Sequence, residues 1–180
     1  KDNVKSATEL REKIKEDAEK QFVQQSDQKL LNDVTEFLVE NTKFDLPSSF
    51  LQKWMQTAGE EELDDNQAKE EYEKSEKSMR YQLIEGKLVT ENNLQVNFDE
   101  LKEFSKKMIT GQMAQFGQMN PSDKELDDIA ARVLSNQDEA RRISEQLVSQ
   151  KLLTVYKEKA NLKTKELSYE NFVKEVYGDK

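Results

Sequence analysis

Apolar residues recur along this chain at intervals of three and four, the spacing that gathers them on one face of an α-helix. Leu10, Ile14, Ala18 and Phe22 step by four, and Leu30, Leu31, Val34, Phe37 and Leu38 continue the series. That predicts one long amphipathic helix over 7–40. Asn41, which tolerates the left-handed cap conformation, ends it, and Pro47 starts a short helix carrying Phe50, Leu51, Trp54 and Met55 that stops at Gly59. A helix over about 66–89 follows, with Tyr72, Met79, Leu83 and Leu88 on one face. Leu94, Val96 and Phe98 alternate with polar residues, a strand period over too short a run, and read better as an extended linker. Three further stripes follow a helix carrying Leu101, Phe104, Met108 and Ile109: Leu126 to Leu134, Ala140 to Tyr156, and Phe172 to Tyr177. No heptad persists for the three or four repeats of a long coiled coil, which leaves short bundles and helical arms.

Helix starts are legible from capping chemistry. Ser6 with Glu9, Asn97 with Glu100, and Ser122 with Glu125 each place a capping oxygen three residues before a carboxylate. The two side chains can then satisfy each other's orphan backbone amides. Val96 and Leu101 flank the second cap as a hydrophobic staple, and Leu167 and Phe172 do so around Ser168.

Composition then narrows the chemistry. Only 34% of the 180 residues are apolar and 36% are charged, so a thick globular core is not expected. The helical period and its caps set disorder aside, except in two loops. A net charge of −9 repels phosphate backbones and anionic lipid, which sets nucleic acid and membrane aside as partners. The first twenty residues hold no apolar core of a signal peptide and no run of about twenty apolar residues exists; the opening Lys1 leads us to expect a piece of a longer protein, with any targeting signal upstream left open. Cys is absent, which suits a reducing compartment. The absence of His removes the commonest general base and metal ligand together, so no catalytic residue, metal site or cofactor is expected.

Two local clusters invite sharper readings. The acidic run from Glu61 to Asp65, with the glutamate before it, lacks the glycine and alternating ligands of a calcium loop and reads as a solvated turn capping the next helix. Between Gly111 and Met119, Gly-Gln-Met occurs twice; no Lys-Ser/Thr pair follows, so a flexible apolar-tipped loop fits better than a phosphate cradle.

The order of these features resembles the carboxy-terminal domain of bacterial trigger factor. Thr8-Glu9-Leu10-Arg11 opens the long helix, Val39-Glu40-Asn41 closes it, and Asp45-Leu46-Pro47 leads directly into the short one. Leu83-Ile84-Glu85-Gly86-Lys87-Leu88 and the terminal Leu167-Ser168-Tyr169-Glu170-Asn171-Phe172 fall where that family has corresponding helices. The resemblance spans nearly the whole chain and rests on order and spacing. It implies an all-α fold, an elongated helical body (1–43 and 144–180) with two projecting helical arms (44–93 and 94–143). It also implies a cytoplasmic, ATP-independent chaperone domain that cradles unfolded or nascent polypeptides beside the ribosome. The ribosome-docking and peptidyl-prolyl isomerase domains of the family have no counterpart in this segment, so it is not expected to be an enzyme. A weak homodimer is a further expected state. The segment 111–119 looks longer than the family's usual arm, and the acidic run has no evident counterpart.

A holding surface needs apolar side chains that repack around many sequences, a role suited to Met and aromatic residues. Met108, Met113, Phe116 and Met119 on the second arm, and Phe50, Trp54, Met55 and Met79 on the first, are the candidate client contacts. Helical spacing alone favours a core role for Phe50, Trp54 and Met79, and the glycine-flanked context of Met113, Phe116 and Met119 favours a surface one. Rival expectations are a helical adaptor with one dedicated partner, a periplasmic chaperone of related architecture, and an enzyme built on the acidic run.

Overall fold

In a computed structural model, described over residues 6–59, 61–117 and 121–177, the chain forms seven helices and no strand among the described residues. They are α1 (Ala7–Asn41), α2 (Ser48–Ala58), α3 (Asp65–Glu91), α4 (Phe98–Gln115), α5 (Asp123–Ser135), α6 (Gln137–Lys159) and α7 (Tyr169–Tyr177). The expected all-α class holds. Contacts divide the chain into one unit of 1–45 with 160–180 and another of 46–159.

In the 46–159 unit the caps do what their sequence indicates. Asn97 accepts from the Glu100 amide at 2.9 Å while Glu100 accepts from the Asn97 amide, and Ser122 and Glu125 repeat the exchange. A third reciprocal box, Asp64 with Gln67, opens α3 from within the acidic run, whose role as a capping turn is thereby given a residue. Asn136 accepts from the amides of Asp138 and Glu139 at the head of α6. Between Asn93 and Asn97 the chain is not helical, consistent with an extended feed into the α4 cap.

The core of this unit is thin and lies along helix seams. Ala68, Tyr72 and Ile84 of α3, Ile109 of α4, Ala130 of α5, and Ile143, Leu147, Leu152 and Tyr156 of α6 are the buried hydrophobics. α2 packs on α3, α4 and α5 pack on each other and both pack on α6, and α6 also touches α3. α4 and α5 meet in a seam, and each carries a fully buried small residue, Ser105 on α4 and Ala130 on α5. Lys106 closes that seam, reaching Asp123 at 2.9 Å and Asp127 at 3.0 Å, and Lys102 reaches Asp127 at 3.1 Å. Lys151 ties α6 to the head of α4 through Glu100 at 2.8 Å.

The expected division placed 144–180 with the first helix; in the structure α6 instead belongs with α3, α4 and α5 through Lys159. Its buried face, Ile143, Leu147, Leu152 and Tyr156, is what holds it there. A second difference concerns 111–115, expected as loop. These residues complete α4, and the helix ends at Phe116 with Gly117 at φ +82°, a left-handed conformation suited to glycine.

The unit of 1–45 with 160–180 is built on α1. Ser6 caps it by accepting from the Glu9 amide, and the extended segment after Ala160 leads into α7. Leu167 and Phe172 bracket Ser168 as the staple expected there and line a cleft of about 280 Å³ together with Leu30. Phe22 meets Tyr169 with ring centres 5.4 Å apart, and Lys165 bonds Glu175 at 3.0 Å.

Candidate client-holding surface

The short helix α2 shows how sequence spacing creates an outward apolar face. Pro47 lacks an amide to lose, and its carbonyl accepts from Phe50 and Leu51, starting the helix; Gly59 ends it. Leu51 and Met55, one turn apart, are half-buried, whereas Phe50 and Trp54, also one turn apart, are 65% and 54% exposed. The loop that follows is pinned by Leu63 donating to the Gln56 carbonyl and by Gln56 bonding Asp65. Two aromatic rings therefore stand in water on a helix whose other face is fixed.

The remaining candidates fall into three groups. Phe116 stands 86% exposed at the end of α4. Met79 on α3 and Met108 and Met113 on α4 are half-buried, each with part of its side chain in contact with its unit and part in solvent. Met119 lies outside the described residues. The described candidates sit on separate elements, α2, α3 and the carboxy-terminal half of α4, and do not converge on one enclosed pocket.

Sequence reasoning missed several exposed apolar residues. Leu83 is exposed beside buried Ile84, because neighbours in a helix point about 100° apart and cannot both face the same seam. Phe98 occupies the first position of α4, immediately after the Asn97 cap, where the helix has no preceding turn to pack against. In the other unit Leu10, Ile14, Val23, Phe37 and Tyr169 are exposed as well. Phe37 beside half-buried Leu38 repeats the Leu83–Ile84 case, so adjacency of two large apolar residues was the available signal.

Titratable groups in the 46–159 unit act as fasteners. Hydrogen bonding from Lys106 and then Lys102 holds the Asp127 carboxyl below the usual carboxylate range, and Lys106 itself is pushed up, first by Asp123 and then by Asp127. Glu100 is lowered chiefly by Lys151, and Glu125 by its cap bonds to Ser122. A groove of about 530 Å³ between α3 and α6 is lined by Tyr81, Glu85, Arg141 and Glu145 among others. Burial raises Glu85 there, against a hydrogen bond from Tyr81, with Glu145 adding to the rise. Arg141 bonds Glu145 at 3.0 Å. Tyr156 is raised mainly by burial. No set of three metal-ligating side chains converges among the described residues, and no described helix is long and apolar enough to cross a membrane.

Neither the curated proteins nor the solved structures yield a match to this chain. The family model of the trigger factor C-terminal domain, in contrast, matches residues 26–176, which takes in the second part of α1, all of α2 through α6 and α7 up to its last residue. On that match, and on an all-helical architecture that agrees with it, the chain belongs to the trigger factor C-terminal domain family.

Proposed function

We propose that this domain holds unfolded or nascent polypeptides on exposed apolar side chains of its helices, as the ATP-independent, non-catalytic part of a cytoplasmic trigger-factor-like protein that works at the ribosome. Family membership supports a chaperone-like role. The observation that carries the finer reading is the imbalance between inside and outside. Among the described residues the buried hydrophobics are nine, two of them alanines, while twelve large apolar side chains are exposed. Single exposed apolar residues are ordinary on any protein. Here four of them form two helical pairs, Phe50 with Trp54 and Leu10 with Ile14, each pair offering a continuous apolar step one turn long.

Each such step buries little and binds weakly, since association and ordering cost several kcal/mol against about 1.5–3 kcal/mol per large side chain. Several steps engaging one unfolded chain raise the overall affinity through effective concentration. Surfaces of this kind discriminate poorly between sequences, which is what holding many clients requires.

The test is light scattering during dilution of a chemically unfolded protein into a several-fold excess of the domain. The expected result is slowed aggregation, with most of the effect lost in a Phe50→Ser, Trp54→Ser, Phe98→Ser, Phe116→Ser variant. Aggregation that proceeds unchanged beside the unaltered domain would sink the proposal. A peptide array separates it from an adaptor: binding to many apolar-aromatic peptides is expected, and binding to a single sequence contradicts it.

A further inference from the structure

The unit of 1–45 with 160–180 holds no buried residue among those described, whereas α6 of the other unit buries Ile143, Leu147, Leu152 and Tyr156. α7 shows the consequence. It has nine residues, and a helix shorter than about 12–15 residues is marginal in water, so it stays helical through what it leans on. Tyr169, Phe172, Val173 and Val176 make up its apolar face at the spacing of one helix side. The seat for that face on α1 is poor. Tyr169 meets Phe22 yet stays 62% exposed, and Phe172, Val173 and Val176 are half-buried. Phe172 lines the open cleft of about 280 Å³ with Leu30, and Val176 lines a second hollow of about 360 Å³ whose other walls, Gln25, Gln28 and Asn32 among them, are polar.

Two bonds of this segment, Lys165 to Glu175 at 3.0 Å and the Asn171 amide to the Ser168 hydroxyl at 3.4 Å, lie within it and survive its departure from α1. What α7 offers is an apolar-aromatic stretch of the kind proposed above to be held as a client, and what it rests on is an apolar face of the kind proposed to hold one. Building on that reading, we infer that α7 is an internal stand-in for a client: an apolar-aromatic segment of an unfolded polypeptide displaces it and takes its place on α1 at Phe22 and Leu30.

The arrangement sets a threshold. A client segment binds this face while α7 is off, so its apparent affinity falls by the fraction of time α7 is off. α7 is joined to α1 through the rest of the chain and competes at an effective concentration on the order of mM, which a free segment in dilute solution does not match. A segment of a client already held at another apolar site of the domain enjoys a similar advantage and does compete. The α1 face is therefore engaged after the others. While no client is bound, α7 keeps Phe22 and Leu30 partly covered, which limits adventitious association through them.

Hydrogen exchange of the unaltered full chain tests the loose seat: the amides of Phe172 to Val176 are expected to exchange at least about 100-fold faster than those of Leu147 and Leu152. A fluorescent peptide of the sequence 168–177 then serves as the probe of the α1 face. Phe172→Ser with Val176→Ser unseats α7, and this variant is expected to bind the probe at least about tenfold more tightly than the unaltered chain by anisotropy, a gain lost when Leu30→Ser is added. A permanently unfolded client is expected to drive the probe off the unseated variant. α7 amides as protected as those of α6, a probe bound equally by chain and variant, a gain that survives Leu30→Ser, or a probe the client leaves in place each overturns the inference. Unchanged amide shifts at Ile143 and Leu152 show that the 46–159 unit is intact in the variants. The α2 and α4 side chains altered in the aggregation test are untouched here, so slowed aggregation with a failed displacement strikes the role of α7 alone, whereas unslowed aggregation strikes the client-holding function beneath it.

Discussion

Replacing Phe50 with Ser isolates one step of the proposed surface, because the only tryptophan of the chain stands one helical turn away as a reporter. Fully burying a side chain of this size contributes about 1.5–3 kcal/mol, and 65% of Phe50 is still in water, so covering it with a client gains about 1–2 kcal/mol. At about 1.4 kcal/mol per tenfold, Phe50→Ser should weaken a client's hold on this site by about 5- to 30-fold. The substitution touches a half-exposed position away from the core, so stability should change by no more than about 0.5 kcal/mol. The assay is a titration with an unfolded client that lacks tryptophan. As apolar client segments cover Trp54, now 54% exposed, its emission should move to shorter wavelength, and the midpoint gives the affinity. Emission that does not move at saturating client, or a midpoint unchanged in Phe50→Ser, would refute the reasoning.

Three further outcomes follow from the packing and the caps. Leu152 is fully buried on α6, so Leu152→Ala should cost about 2–5 kcal/mol in urea unfolding of the 46–159 unit; a loss below about 1 kcal/mol would show that α6 is not its keystone. Ser122→Ala removes one half of a reciprocal cap and should cost about 1 kcal/mol by the same assay. The carboxyls of Glu100 and Asp127 are lowered by lysines, so the stability they contribute is in place above their unfolded values near pH 4 and should drain away as acid protonates them below it. Lys106→Met should flatten that acid limb, which thermal unfolding between about pH 5 and pH 2 would register.

Local chemistry was readable because it is written in adjacent residues. Ser6, Asn97 and Ser122 open their helices as caps where the spacing to Glu9, Glu100 and Glu125 predicts. The Asp64–Gln67 box escaped notice because several carboxylates in a row could each have served as the cap. Gly111 suggested a break and produced none, since one glycine inside a helix costs only about 1 kcal/mol and the stop falls at Gly117, where the backbone turns left-handed. What spacing cannot encode is which helix will cover a given stripe. The face of α6 was visible as Ile143, Leu147, Leu152 and Tyr156, yet its partners, α3, α4 and α5, are a matter of long-range packing. For the same reason Phe50 and Trp54 read as core by period while α2 turns its other side, Leu51 and Met55, to α3.

Amide chemical shifts, followed residue by residue as a permanently unfolded client is added, bear most directly on the claim that helical surfaces rather than a pocket hold the client. The expected map has its largest changes around Phe50, Trp54, Leu83, Phe98 and Phe116, with the buried amides of Ile143, Leu147, Leu152 and Tyr156 nearly still. Changes confined to the polar groove at Tyr81, Glu85 and Glu145, or no changes at saturation, would contradict it.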